Sequence, residues 1–254
     1  MTIELAPYHK TGLPLAHPLL VAHCTAEVLA LLDRDVLGAV VAPELGGAQR
    51  KRRRVLERPG GMLVEEGRGA LSLSGLRRLV REAGELPVIG SVVAAEPRGA
   101  ARAAERLAGE GARALLVDLV PGDPALAEDA LAAVRGAVDL PLLAQVPLFE
   151  AITYAALARE TAADAVVVAS PAQGLAALGG ELRPVRVHGP LLHPLYLLVV
   201  QQVAAVVPLP IVARGGIQNA ADARACLAAG AVAVTVDSLA TVEPGAVARI
   251  GRSL

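Results

Sequence analysis

The residues with the clearest capacity for chemistry lie in the stretch PIVARGGIQNAADA, Pro210 to Ala223. An apolar run ends in Arg214, a glycine pair follows at Gly215 and Gly216, and a polar turn then opens a helix. Peptide N–H groups with no side chain in front of them, beside a fixed cation, make a seat for a phosphate or another oxyanion. One further place repeats the theme. HGP at 188–190 puts Gly189 ahead of Pro190, a residue suited to a first helical turn. The pair Asp237 and Ser238 closes the last apolar run. Were Asp237 to lie beside such a seat, its carboxylate would conflict with a phosphate. Two arrangements resolve that conflict. Either Arg214 pairs with Asp237 and fills the seat with an internal ion pair, or Arg214 faces the phosphate and offsets Asp237.

Other hydrogen-bonding residues stand where apolar runs stop: His23, Ser91, Asp118, Gln145 and Ser170. His23, His188 and Asp118 are the candidate proton acceptors, and a histidine base suits neutral pH. Each also suits a structural role at a strand end, where polar residues meet water. The same three residues have no metal-ligand spacing, so a metal-assisted aldolase or isomerase finds no motif and no metal ligand is assigned. PGGM at 59–62 supplies tight backbone or an ordinary turn. QRKRRR at 49–54 lacks interleaved aromatics and reads as a solvated loop rather than an anion contact.

These residues need a scaffold that brings strand ends together. Short β-branched runs alternate with Ala-rich helical segments along the chain. Strands are expected at 18–23, 38–43, 87–93, 112–120, 140–146, 163–170, 209–216 and 231–238, with helices at 26–35, 98–111, after Pro124, and at 148–161. Continuous apolar runs are buried on both faces, as parallel strands are. Eight strand–helix units in strict alternation predict an α/β fold, a single (β/α)8 TIM barrel over residues 1–254. Two insertions interrupt the repeat, at 44–85 after the second strand and 171–190 after the sixth. Long loops at one end of a barrel build its site. The first 17 residues are expected to form a hairpin that plugs the opposite mouth.

Composition narrows the function classes. The 254 residues carry a net charge of −1, 54% hydrophobic side chains and 2% aromatics. No overall field draws in nucleic acid or an anionic membrane, and few rings are available for base stacking. Lys10 and Lys51 are the only lysines. Cys24 and Cys226 lie far apart, which predicts reduced thiols in a cytoplasmic protein. Proline residues interrupt the apolar stretch from Leu191 to Ala213, so it reads as helix plus strand, not a membrane span.

Taken in order, HPLLVAHCT, GAVVAP, RPGGMLVEEGRG, LPLLAQVPL, RVHGPLLHPLYLLVVQQVAAVVPLPIVARGGI and AGAVAVTVDS resemble the class 1 dihydroorotate dehydrogenase family across nearly the whole chain. The resemblance implies an FMN-binding barrel that oxidises dihydroorotate in pyrimidine biosynthesis, with the flavin over the strand ends. It implies a phosphate seat at Gly189, Gly215, Gly216 and Asp237-Ser238, with Ser91, Gln145, Ser170 and Arg214 toward the flavin. It implies a small-molecule substrate, and a homodimer or a flavoprotein partner subunit. The family's reactive positions are mostly replaced here. Pro43 stands at the lysine after strand two, and Gln145 at the lysine of strand five. Val64, Glu65, Glu66 and Ala70 stand where asparagines hold the pyrimidine. Ser91 and Ser170 replace asparagines. Asp118 takes the asparagine place of strand four, and no Ser or Cys base follows it. Asp237-Ser238 replaces Gly-Thr. Two outcomes stay open: a flavin oxidoreductase with an altered substrate and a base among His23, His188 and Asp118, or a catalytically degenerate, flavin-free barrel serving as a binding module or companion subunit.

Overall fold

The computed structural model describes residues 2–45, 55–58, 61–65, 71–161 and 163–254. The barrel strands are β3 (Leu19–Val21), β4 (Ala39–Val41), β7 (Val88–Val93), β8 (Ala114–Asp118), β9 (Leu142–Val146), β10 (Ala165–Val168), β13 (Ile211–Arg214) and β14 (Ala233–Val236). They are all parallel and close into one ring, with β14 hydrogen-bonded back to β3. Each lies inside one of the eight expected segments, and consecutive barrel strands are neighbours throughout.

Helices occupy the outside. They are α1 (Ala26–Leu29), α2 (Leu73–Ala83), α3 (Pro97–Gly109), α4 (Pro124–Ala137), α5 (Ala151–Glu160), α6 (His193–Val206), α7 (Ala220–Ala228), α8 (Leu239–Val242) and α9 (Pro244–Gly251). Their starts are encoded locally. Ser72, Glu96, Asp123 and Asn219 accept backbone N–H bonds as N-caps, and Pro97 and Pro124 fill the first turn. The expected helix at 26–35 is shorter than read. It stops at Leu29, and a single 3-10 turn, Arg34–Val36, follows.

The period of two along each strand separates two cores. Outward residues such as Leu115, Val117, Ala144, Val166 and Val168 pack under the helices. Inward residues Leu20, Val41, Ile89, Leu116, Leu143, Val167 and Val212 fill the barrel. The strands β1 (Ile3–Glu4) and β2 (Pro14–Leu15) pair antiparallel, and Leu5, Leu13 and Leu15 join the interior cluster beside Ala114, Ala165 and Ala233 at the strand starts. That end of the barrel is thereby filled with aliphatic side chains.

The two insertions are not loops alone, which corrects the reading of 44–85 and 171–190. The strands β5 (Val55–Arg58), β6 (Gly61–Glu65), β11 (Ala172–Leu178) and β12 (Glu181–His188) form a four-stranded antiparallel sheet in the order β11-β12-β6-β5. Residues 73–83 are helix, not insertion. Their charged composition masks an apolar face of Leu76, Leu79 and Ala83 behind the Ser72 cap. The basic run at 49–54 and residues Pro59, Gly60, Glu66 and Ala70 lie outside the described residues. Among the described residues no helix is long and apolar enough to cross a membrane.

Leu15 is fully buried against the barrel interior. Leu15→Ala is expected to cost about 3 kcal/mol of unfolding free energy, the usual scale for a core leucine cavity. Urea denaturation followed by circular dichroism measures it.

Candidate functional site

The last inward-facing layer, above the aliphatic ones, is polar. Register puts Asp118 beside Gln145 and Arg214 beside Thr235, so their side chains share the barrel interior at the carboxyl ends of the strands. Active sites of such barrels occupy that end. All four residues are buried, and so each polar group needs a partner.

The partners form one chain of bonds. Ser170 Oγ donates to Asp118 Oδ1 at 2.5 Å, and Gln145 Nε2 donates to the same oxygen at 2.7 Å. Gln145 Nε2 also reaches Ser170 Oγ at 3.1 Å. Arg214 Nη1 donates to Gln145 Oε1 at 2.5 Å. A carboxylate on one side and a guanidinium on the other fix which way the amide points. Arg214 Nη2 donates to Asp237 Oδ2 at 2.6 Å and lies 3.1 Å from His23 Nε2. A guanidinium carries only donors, so His23 Nε2 is the acceptor in that contact, and the same nitrogen lies 3.8 Å from Asp237 Oδ2. Arg186, from β12, places its Nη2 3.7 Å from Asp118 Oδ2. Two carboxylates therefore face two guanidiniums through one amide, and the floor is neutral as a whole.

Of the two arrangements open to Arg214, the structure has the ion pair with Asp237. Burial works to raise the Asp237 carboxyl, but it is outweighed by His23 and Arg214 and by the Arg214 hydrogen bond. The group is held well below the usual carboxylate range. His188 moves the other way. Burial pushes its imidazole down, Asp237 pulls it up, and Arg214, His23 and Arg186 push it down further. Burial pushes the Cys24 and Cys226 thiols up to about 12, so neither is a nucleophile.

Beside this floor opens a small cleft with about 50 Å³ of cavity space, lined by His188, Gly189, Gly215, Gly216, Asp237 and Ser238. Among the described residues no protein acceptor takes the backbone N–H groups of Gly215, Gly216 or Ser238. The glycine pair is required from both sides. Gly215 has φ +119°, and a Cβ there would meet the Tyr196 ring at 2.6 Å. Gly216 has φ +68°, and its Cβ would meet His193 at 2.8 Å. Gly61, from PGGM, has a similar duty. A Cβ there would strike the His188 carbonyl oxygen at 2.3 Å, so glycine lets β6 run against the end of β12.

The structure thus gathers Asp118, Gln145, Ser170, Arg214, Asp237 and His23 into one network, with His188, Gly189, Gly215, Gly216 and Ser238 around the adjoining cleft. Ser91 stays apart. It is level with Leu116 in register, and its hydroxyl donates to the Ala42 carbonyl at 2.7 Å. Two contributors had no strong sequence signal. Arg186 sits in a segment that reads as loop, and alternation along 181–188 would have placed it on one face with His188. Tyr196 lies within an apolar helix, where its hydroxyl accepts the Ala172 N–H at 3.0 Å.

No family model matches the chain. Sequence relatives do. The catalytic subunit of dihydroorotate dehydrogenase B (NAD(+)) from Desulforudis audaxviator is 30% identical over 279 residues, spanning 96% of this chain and 89% of the relative. The chain belongs to the dihydroorotate dehydrogenase family. Relatives of the same name from Pelobacter propionicus and Citrifermentans bemidjiense are 28% and 27% identical, covering 92% and 90% of their own lengths. The closed eight-stranded barrel agrees with this membership.

Arg214→Met leaves Asp237 without its cation and is expected to lower stability by about 3 kcal/mol. That is the low end for a buried pair, because the Asp237 side chain keeps 22% of its surface exposed. Arg214→Met combined with Asp237→Leu should recover part of the loss in urea titrations. Acid should act in two windows. His188 has a lowered folded pKa, so the unfolded chain protonates first, and stability falls as pH drops below about 6.5. His188→Gln should remove that slope. The Asp237 contribution persists above about pH 4 and is lost only in stronger acid.

Proposed function

We propose that the chain is a flavin oxidoreductase of this family that binds FMN through its phosphate and acts on a substrate other than dihydroorotate. The observation that carries the reading is the set of N–H groups of Gly215, Gly216 and Ser238 that find no protein acceptor among the described residues, around a cleft open to solvent. Gly189, Gly215, Gly216 and Ser238 would hold the phosphate. Bound FMN supplies a hydride acceptor, which no side chain can replace.

The residues of the floor support an altered substrate. Both Asp118 oxygens are engaged, by Ser170 and Gln145 on one and Arg186 on the other. His23 Nε2 accepts from Arg214. Neither of these two groups is disposed to take a proton from carbon, a step that needs a positioned base, and His188 at the cleft is the candidate that remains. Among the described residues a cation persists beside Gln145, because Arg214 reaches its amide from the next strand but one. That guanidinium can stabilise negative charge above the floor, in a strength reduced by Asp237. A donor that releases hydride without first losing a proton, such as a dihydropyridine, suits this arrangement. Dihydroorotate, which must also lose a proton, would depend on His188 alone. The relatives' designation as catalytic subunits supports a second chain as electron acceptor.

A redox-silent barrel is the second reading, and the closure of Arg214 onto Asp237 favours it. Purified protein mixed with FMN and challenged anaerobically distinguishes the readings. The expected result is a yellow complex bleached by a reduced nicotinamide and untouched by dihydroorotate. Bleaching by dihydroorotate would restore the family's usual substrate. A colourless protein that takes up no FMN would leave the redox-silent reading.

A further inference from the structure

The charge arrangement around the cleft carries a consequence for any anion that enters it. We propose that the cleft takes up its oxyanion together with one proton, and that His188 carries that proton. This deepens the reading of the cleft as a phosphate seat and rests on it.

His188 ends β12 and lines the cleft with Gly215, Gly216, Asp237 and Ser238. The charged and titratable groups that face it are Asp237 from the end of β14, Arg214 from β13, His23 from the end of β3 and Arg186 from its own strand. Arg214 contacts Asp237 at 2.6 Å, so its charge is already matched by that carboxylate, and His23 Nε2 lies 3.8 Å from the same oxygen. Arg186 is turned to Asp118. An arriving oxyanion therefore finds good N–H donors but no net positive charge, and a carboxylate next to it. Without compensation, two anions share one guanidinium.

A proton from solvent supplies the compensation, and the neighbours decide where it goes. Asp237 is held low by its pairing and stays ionised. His23 Nε2 is occupied by an Arg214 N–H. His188 remains, kept neutral in the free protein chiefly by burial. An anion beside the ring offsets that penalty and turns the imidazole into an imidazolium, so binding and protonation reinforce each other.

Calorimetry on the full chain tests this, with sulfate as the probe because it keeps both charges across the range used. The titrations run from about pH 8 down to about pH 5.5, the range in which histidine titrates, in two buffers of different ionisation enthalpy. Sulfate affinity is expected to rise by up to about tenfold per pH unit, with uptake of one proton read from the buffer dependence of the heat. His188→Gln should flatten the profile. Asp237→Asn should bind sulfate more tightly at the alkaline end. A wild-type affinity independent of pH, or a heat independent of buffer, overturns the proposal, as does an unchanged profile in His188→Gln. FMN and riboflavin run in parallel separate this inference from the flavin reading. Proton-linked sulfate binding with FMN no tighter than riboflavin sinks the phosphate-anchored flavin and keeps the proton linkage. Tight FMN binding with no proton taken up does the reverse. Binding of neither sulfate nor FMN sinks both.

Discussion

One guanidinium organises the functional end of this barrel. Arg214 rises from the last inward layer, where water is scarce and an unpaired charge would be costly. It meets that cost through Gln145, Asp237 and His23, which come from three other strands or their ends. Each partner is in turn constrained. Gln145 must turn its oxygen to the cation and its amide to Asp118, and Asp118 Oδ1 must receive two donors. Removing any one member leaves a buried neighbour unsatisfied, so the network behaves as one object and not as a list of pairs.

That constraint also fixes the electrostatics of the floor. An arginine bonded to a glutamine is held in place, unlike a lysine on its flexible stem. The carboxylate on the neighbouring strand end, Asp237, matches much of its charge. The glycine pair passes under a cleft, closed from behind by Tyr196 and His193.

Much of the architecture was legible in the sequence because parallel strands buried on both faces leave unbroken apolar runs. Polar residues where those runs stop, Asp118, Gln145 and Arg214 among them, are expected together at the strand ends, and Ser91 is expected with them. What escaped notice depends on contacts between distant segments. Helix 73–83 hides behind four arginine and glutamate side chains that face solvent, and only its cap and Leu spacing reveal it. Arg186 becomes part of the floor only because β12 pairs with β6 and is drawn over the mouth. The choice between an Arg214–Asp237 pair and an Arg214–phosphate contact was likewise undecidable from residue types, because both satisfy the same charges.

The sheet that overhangs the mouth has an origin split across the chain. Its β5–β6 hairpin follows the second barrel strand, whereas the partner that completes it, β12, follows the sixth, pairing Val185 with Glu65. During synthesis from the amino terminus the earlier hairpin must wait, edge exposed, while four more staves are made. The roof is thus among the last parts to be assembled, and a nascent or partly folded chain would be a cup without a cover. A shift in register of either stretch would unpair Met62–Glu65 from Val185–His188.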